Sequence, residues 1–488
     1  MKKIRKDVFY KINLTKMFKK SNILIACTVL FILPLSSCYV TRKYERPKMT
    51  TENLYRTDNL ADSVSLTTDS TSMAELSWRN LFTDTLLKQY IDTALNNNID
   101  VRIALQNINI AAAYVKQSKA EFAPALNGSL DIDYTKNSKN SALGRINNGS
   151  IGQFQLGANL SWEADIWGKI KAQEQADQAA YLQSIEAQRA IKTRLVAAVA
   201  TTYYQLMMLD AQINITKASI KSRDSSLLTT KALKEAGQLT AVAVKQTEAQ
   251  LYQAKLILIN LKQQERVLEN ALCLLLNEPS HPINRGILKE QSINTPLKIG
   301  VPADLLANRP DVREAEYGLI QAFELTNVAK SNFYPSLTIT ASGGIQSTDL
   351  TNWFSLNSLF SSIAGGLLQP ILNHRQIRTQ YEVAQSQQQQ SLLRYQQVLL
   401  TSGNEVSNAL YDYQLLSQSI ALQEKQSQAY LVAVNYSEQL LINGRANYLE
   451  VLTARQNVLS TQLDLANARF ERLASIIQLY EALGGGWR

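Results

Sequence analysis

Four short stretches of the chain alternate apolar and polar residues, which is the period of a β-strand whose two faces meet different surroundings. The stretches lie at 126–135, 153–165, 337–346 and 359–368. Loops rich in Asn, Ser and Gly, near 136–150 and 347–358, separate the members of each pair. The pattern predicts one hairpin in each half of the chain, at about 126–165 and 337–370.

Two longer segments, 171–235 and 376–442, have the composition of uninterrupted helices. They are rich in Ala, Gln, Leu, Lys and Glu, and all ten prolines lie outside the windows 125–278 and 371–488. A proline inside a helix costs about 3 kcal/mol, and a helix of about 65 residues is roughly 95 Å long. Their apolar stripes, interrupted by Gln, Ser and Thr, predict helices that pack between neighbouring helices as in a coiled coil.

The two halves of the chain repeat one unit. Asp100-Val101-Arg102 precedes Phe122-Ala123-Pro124-Ala125-Leu126, and Asp311-Val312-Arg313 precedes Phe333-Tyr334-Pro335-Ser336-Leu337 at the same spacing. Gly237 and Gly444 occupy corresponding places after the two long helical segments. The sequence therefore predicts a tandem duplication in which each glycine forms a left-handed turn between two helices.

Strands of about ten residues with one apolar and one polar face fit a membrane β-barrel, although a half-buried soluble sheet has the same pattern. A sheet in lipid cannot leave an edge unpaired, and about eight strands are the minimum for closure. If the four predicted strands lie in a membrane, several chains must share one barrel.

The charge of the chain is concentrated at its start. The 488 residues include 50 Lys and Arg against 41 Asp and Glu, a net charge of +9. Residues 1–37 hold eight of the basic residues and one acidic residue, so the remainder carries only about +2. A broad basic surface for nucleic acid is therefore not predicted.

The first residues have the features of a signal peptide. The apolar run from Ile23 to Leu35 is too short to span a bilayer but suits a signal-peptide core. It ends in Leu35-Ser36-Ser37-Cys38, which resembles a bacterial lipobox, so we expect cleavage of 1–37, lipidation of Cys38 and an extended anchored segment to residue 76. Cleavage nearby by a conventional peptidase is the alternative, and both Met1 and Met17 fit as the start.

No arrangement of residues in the sequence predicts catalysis or a resident metal. His281 and His374 stand far from any Cys, Asp or Glu at metal-ligand spacing, and neither a phosphate loop nor a nucleophile motif occurs. After removal of Cys27 and acylation of Cys38, Cys273 is the remaining thiol, and we expect it to fill an apolar helix face. The expectation is a protein without a cofactor that is not an enzyme.

Several longer motifs resemble those of TolC-type outer-membrane efflux channels, in particular the lipoprotein branch that serves resistance-nodulation-division pumps. The segment Gly300 to Glu316, with Asn308-Arg309-Pro310-Asp311 at its centre, is similar to the family segment that joins the two halves. Leu160 to Lys169, Gly444 to Leu452 and Leu479 to Trp487 resemble three further family motifs. The resemblance covers about residues 78–487.

The resemblance implies a mainly α-helical fold in which a homotrimer closes four strands per chain into a 12-stranded outer-membrane barrel. The repeats would span 77–299 and 300–488, and their long helices would continue the barrel as a tunnel into the periplasm. The turns at Gly237 and Gly444 would meet a periplasmic adaptor, which contacts the inner-membrane pump.

The same resemblance places a constriction at the periplasmic turns, and Asn447, Tyr448 and Glu450 are the candidate gate residues. Three symmetry-related carboxylates at Glu450 would favour cations, although a solvated helix face explains Glu450 equally well. The family often has Asp where this chain has Thr453, so one acidic or interhelical contact that the resemblance implies is expected to be missing.

The function that this resemblance implies is a passive conduit of a tripartite pump that exports drugs or other small toxic molecules. A metal-ion or type I protein-secretion duct belongs to the same class and fits the same motifs. A structural periplasmic coiled-coil lipoprotein is the alternative from another class, but it gives the four alternating strands no purpose.

Overall fold

A computed structural model describes residues 40–49, 54–56, 73–146, 150–291, 293 and 307–488. The predicted signal peptide, Cys38 and residues 300–306 of the joining motif lie outside these described residues. Cleavage before Cys38, its lipidation and the choice between Met1 and Met17 therefore stay predictions.

The described chain is mainly helical and carries one four-stranded sheet. The elements are α1 (Trp78–Leu81), α2 (Thr85–Asn97), α3 (Ile99–Ala120), β1 (Ala125–Lys136), α4 (Ala142–Ile146), β2 (Ser150–Ala164), α5 (Lys169–Glu235), α6 (Ala241–Leu276), α7 (Pro310–Ser331), β3 (Ser336–Ser347), β4 (Leu359–Leu368), α8 (Gln376–Ile442) and α9 (Tyr448–Ala482). The four predicted strands are all present. The loop predicted near 136–150 differs, because α4 forms within it and β2 begins earlier than the alternation indicates.

The two long helices are confirmed, each with 67 residues. α8 has the predicted bounds, whereas α5 begins two residues before the predicted 171. The reason is a cap: the Asp165 carboxylate accepts hydrogen bonds from the backbone N–H of Ile170 (3.0 Å) and Lys171 (2.9 Å). Gly168, with φ of 78°, turns the chain from β2 into this helix. Among the residues described, no helix has the length and apolar content needed to cross a bilayer.

The sheet joins the hairpins of both repeats in the order β1-β2-β3-β4, and all three neighbouring pairs are antiparallel. At the junction of the repeats Gly157 lies opposite Gly344. A Cβ at Gly344 would lie 2.2 Å from the backbone oxygen of Leu156, so the two strands approach too closely for any side chain there. β1 and β4 lie at the two edges of this sheet.

The chain divides into two compact units, and each contains parts of both repeats. Among the described residues, one unit takes in those within 40–46, 113–179 and 320–389 and contains the sheet. The other comprises 47–112, 180–319 and 390–488, and its core includes the fully buried aromatic residues Trp78, Tyr203 and Tyr204. These units do not follow the predicted repeat boundaries at 76/77 and 299/300, which stay predictions.

Within the second unit, the duplication is visible as a pair of equivalent contacts. Asn98 accepts a hydrogen bond from Asp100 N–H at the start of α3, and its Nδ2 donates to the Leu275 carbonyl at 3.0 Å. At the corresponding place, Arg309 Nη1 donates to the Ala482 carbonyl at 2.8 Å. In each repeat, a side chain just before a helix (α3 or α7) thus bonds the last turn of the repeat's final helix (α6 or α9).

The buried Arg309 also lies among several carboxylates. It forms ion pairs with Asp311 (2.5 Å) and Glu405 (2.7 Å). Glu481 interacts electrostatically with all three of these residues. Burial and the proximity of Glu405 and Asp311 raise the pKa of Glu481 to about 7, although Arg309 and Arg194 act in the opposite direction. The folded protein therefore favours the protonated form of Glu481.

A raised pKa in the folded state means that Glu481 destabilises the protein increasingly as pH rises from about 4.5 to about 7. We expect Glu481→Gln to stabilise the protein at pH 8.5 by about 1–3 kcal/mol and to have no effect near pH 4.5. The measurement is thermal unfolding of the purified protein, followed by circular dichroism at several pH values.

The matched control is Glu424→Gln, because Glu424 is half-exposed and paired with Arg469. An equal pH profile in the two variants would contradict the assignment of the pH dependence to Glu481.

Candidate functional site

The two predicted glycine turns have the same construction. Gly237 has φ of 75° and Gly444 has φ of 66°, so both adopt the predicted left-handed conformation. The N–H of each glycine donates to a carbonyl in the last turn of its helix, Lys234 O (3.0 Å) or Leu441 O (3.0 Å). The N–H of the next residue donates to the carbonyl one residue further back, Leu233 O or Leu440 O. A Cβ would meet nothing within 4 Å at either glycine, so the backbone conformation rather than space favours glycine.

The residue before each following helix acts as a cap. The hydroxyl oxygen of Thr240 accepts from Ala243 N–H (3.4 Å) at the start of α6. Asn447, one of the three candidate gate residues, does the same for α9, where its side-chain oxygen accepts from Leu449 N–H at 3.0 Å. The structure thus shows Asn447 as a helix cap, and its role in a gate stays a prediction.

Tyr448 connects the two turns. It is only 6% exposed and packs with Ala243 and Leu452, while its hydroxyl contacts the hydroxyl of Thr247. Thr247 donates its own proton to the Ala243 carbonyl at 2.8 Å, so Tyr448 is the donor in the contact between the two hydroxyls. Of the three candidate gate residues, Tyr448 is therefore the one that joins α6 to α9.

Glu450 lies exposed in the first turn of α9. A carboxylate there interacts favourably with the positive end of the helix dipole. In the single chain Glu450 therefore has the surroundings of a solvated helix face, and the meeting of three such carboxylates stays a prediction.

Two arginines near these turns were not identified from the sequence. Arg455 on α9 donates to Glu438 Oε1 (2.8 Å) on α8 and to the Ser222 carbonyl (3.0 Å) on α5. Arg223 on α5 donates to Gln456 Oε1 on α9 at 3.0 Å. Charged residues within a helical stripe usually indicate a solvated face, so the sequence carries no signal that these two bind helices together.

At the other end of the helices, side-chain N–H groups hold the strand ends to the Phe-x-Pro-x-Leu motifs. Trp162 Nε1 at the end of β2 donates to the Phe122 carbonyl at 3.0 Å, and Gln369 Nε2 after β4 donates to the Phe333 carbonyl at 3.2 Å. Trp167 Nε1 donates to the Pro335 carbonyl at 2.7 Å. These contacts fix the change from helix to strand at equivalent places in both repeats.

The segment that follows Cys38 is fastened to α7. Asn327 makes a two-point contact with Arg42: the Arg42 N–H donates to Asn327 Oδ1 (3.1 Å), and Asn327 Nδ2 donates to the Arg42 carbonyl (3.0 Å). Lys330 Nζ donates to the Val40 carbonyl at 3.0 Å. Because α7 leads into β3, the described N-terminal segment begins beside the base of that strand.

Replacing Asn327 with Leu should release this segment. Two hydrogen bonds to the segment, of about 1 kcal/mol each, are lost together with one to Glu324 on the same helix. Since only the first two hold the segment, we expect trypsin to cleave after Arg42 or Lys43 about thirtyfold faster. The measurement is limited proteolysis of the purified protein with mass-spectrometric assignment of the cut.

Asn467→Leu is the control, because Asn467 is partly exposed and bonds only Glu471 on its own helix in the described structure. Cleavage at the wild-type rate in Asn327→Leu would show that the contact does not hold the segment.

Comparison with known proteins agrees with this architecture. The sequence matches the profile of the family described as outer membrane efflux protein over residues 90–278 and 301–485. The solvent efflux pump outer membrane protein SrpC of Pseudomonas putida is 30% identical over 414 residues, which cover 84% of this chain and 87% of that protein. The chain belongs to the outer membrane efflux protein family.

Two further relatives cover nearly the whole chain. The probable outer membrane lipoprotein SilC of Salmonella typhimurium is 28% identical over 466 residues, 95% of this chain and 98% of that protein. The cation efflux system protein CusC of Escherichia coli strain K12 is 27% identical over 455 residues, 93% and 97% of the two chains. A crystal structure of CusC matches with a TM-score of 0.80 at 27% identity and covers 92% of this chain and 100% of that chain.

These findings identify the class of the protein. It is an outer-membrane efflux channel protein with a mainly helical fold and a four-stranded sheet. Among the described residues, no group of three or more His, Cys, Asp or Glu side chains is placed to hold a metal ion.

Proposed function

We propose that three copies of this chain form one channel, in which their strands close a shared 12-stranded barrel. The observation that supports this most directly is the outward apolar face of β1. Its large side chains Leu126, Leu130, Ile132 and Tyr134 are between 60% and 73% exposed in the single chain. Lipid is the surrounding in which such a face is stable, and only additional chains can pair the two edges of a four-stranded sheet.

Lipidation of Cys38 would add a second attachment to the same membrane. Val40 is held by Lys330 in the last turn of α7, and β3 begins a few residues later at Ser336. Cys38 precedes Val40 by two residues, which span at most about 7 Å. An acyl chain on Cys38 would therefore start near the base of the strands. The name of SilC as a probable lipoprotein supports the same proposal.

The partners that we propose are a periplasmic adaptor and an inner-membrane resistance-nodulation-division pump. The adaptor would contact the turns at Gly237 and Gly444. Both turns are exposed in the described chain, and both have the same backbone geometry, so one adaptor surface could bind either turn.

The cargo is proposed to be set by the pump rather than by this channel. CusC is named for cations and SrpC for solvents, although their identities to this chain are similar. A conduit for small toxic compounds is therefore the proposed function, and metal-ion efflux and type I secretion are alternatives of the same class.

Planar-bilayer recordings test the proposed conduit. Purified trimers should give discrete current steps, whereas a structural lipoprotein would give none. Ile132→Arg on the apolar face of β1 should reduce insertion strongly, because a basic residue at the bilayer midplane costs about 2–4 kcal/mol per chain.

Asp133→Arg is the matched control, since its side chain points to the opposite face of the same strand. Insertion unaffected by Ile132→Arg, or a stable single chain without conductance, would contradict the proposed barrel.

We further propose that the contact between Tyr448 and Thr247 helps to keep the periplasmic end closed. It joins the second turn of α6 to the first residue of α9, beside an apolar cluster to which Leu239 and Leu441 from the two turn regions also pack. Loss of one hydrogen bond shifts an equilibrium by about 0.5–1.5 kcal/mol per chain, so three equivalent losses in a concerted opening add up.

Tyr448→Phe should therefore raise the open probability of single channels by at least about tenfold, because the ring still packs but the hydroxyl is lost. The matched control is Tyr436→Phe on α8, where the tyrosine is 64% exposed. If both variants behave like the wild type in bilayer recordings, this contact does not hold the channel closed.

A further inference from the structure

One buried cation near the glycine turns has no counter-ion among its hydrogen-bond partners. Arg223 on α5 is only 3% exposed. Its guanidinium donates to Ser219 Oγ (3.2 Å), to Oε1 (2.6 Å) and the backbone carbonyl (3.5 Å) of Gln250, and to Gln456 Oε1 (3.0 Å), and all four acceptors are neutral. A guanidinium remains protonated in proteins, so these contacts leave a buried positive charge without compensation.

A second cation makes this imbalance larger. Arg455 lies close to Arg223, and burial together with this second cation lowers the pKa of Arg223. The carboxylate in the neighbourhood, Glu438, is already bound by Arg455 through Nε at 2.8 Å. Arg455 and Glu438 therefore neutralise each other, and the charge of Arg223 is left over.

A cavity of about 170 Å³ adjoins this charge. α5, α6, α8 and α9 line it, and both arginines, Glu438, Ser226 and Tyr448 are among the lining residues. A water molecule occupies about 30 Å³ of liquid, so the volume holds a tetrahedral oxyanion together with a few waters. In the described structure the Ser226 hydroxyl donates no hydrogen bond, whereas those of Thr229 and Thr230 donate to backbone carbonyls.

We propose that this cavity binds a small inorganic oxyanion of the sulfate and phosphate class, which compensates the charge of Arg223. A guanidinium has five N–H donors, and the bonds to Ser219, Gln250 and Gln456 use four of them, so one N–H of Arg223 is left for an oxyanion. A halide would fill only a small part of the cavity. The Ser226 hydroxyl supplies a further donor on the wall.

Thermal unfolding of purified wild-type protein, with sulfate exchanged for chloride at constant ionic strength, tests the site. The midpoint should rise by a few degrees and saturate with sulfate concentration, because a ligand that binds only the folded state stabilises it. Arg223→Met should abolish the rise and Arg223→Lys should weaken it. Arg469→Met on α9 is the matched control, since Arg469 pairs with Glu424 outside the cavity, and it should keep the full rise.

Diffraction from crystals grown with selenate locates the ion directly. We expect anomalous density within hydrogen-bond distance of the Arg223 guanidinium in wild-type protein and in Arg469→Met. Equal sulfate responses in Arg223→Met and Arg469→Met would indicate an adventitious ion only. An equal saturating effect of chloride, or a carboxylate from a second copy bound to Arg223 in the crystal, would also overturn the proposal. If Arg223→Met does not fold, Arg223→Lys and the selenate density still decide the question.

Discussion

The constraint on which the structure depends is that backbone N–H and C=O groups in lipid must be paired within the protein. Within the sheet of one chain, neighbouring strands pair their backbone groups with one another. The outer edge of β1 and the outer edge of β4 have no neighbouring strand in that sheet. Antiparallel order with an even number of strands places the first and last strands in opposite directions. In the proposed trimer, β4 of one chain can therefore pair with β1 of the next while every pair stays antiparallel, so closure requires no strand beyond the four.

The duplication explains how this sheet is held to the helices. Equivalent positions carry out the same task with different chemistry: Trp162 and Gln369 both donate to the phenylalanine carbonyl of a Phe-x-Pro-x-Leu motif. In the other compact unit, Asn98 and Arg309 both donate to a carbonyl in the final helical turn of their repeat. The backbone acceptor is thus constant while the donor has diverged, because a carbonyl can accept from an indole, an amide or a guanidinium alike.

The periodic elements could be predicted from the sequence, since the exclusion of proline and the change from a period of 3.6 to 2 are local properties. The exact ends of helices and the burial of polar residues could not be predicted, because a single side-chain contact determines each of them. The start of α5 depends on the cap by Asp165, and α4 interrupts a segment whose composition indicates only a loop. Asn447 stands at a place typical of a helix cap, whereas no pattern distinguishes the buried Arg223 from a solvated arginine. The burial of such residues depends on helices that are distant in sequence.

The two regions of the helical unit differ in the kind of contact that holds them. Around Trp78, Tyr203 and Leu272 the core is apolar and fully buried, whereas near the turns the helices meet through Tyr448, Thr247 and the two arginines. Burying a large apolar side chain contributes about 1.5–3 kcal/mol, but a net hydrogen bond contributes only about 0.5–1.5 kcal/mol. Polar contacts can also be replaced by water when helices separate, whereas exposed apolar surface cannot be compensated in this way. The region near the turns can therefore separate at a lower free-energy cost than the core, which is the distribution of stability that the proposed gate at this end requires.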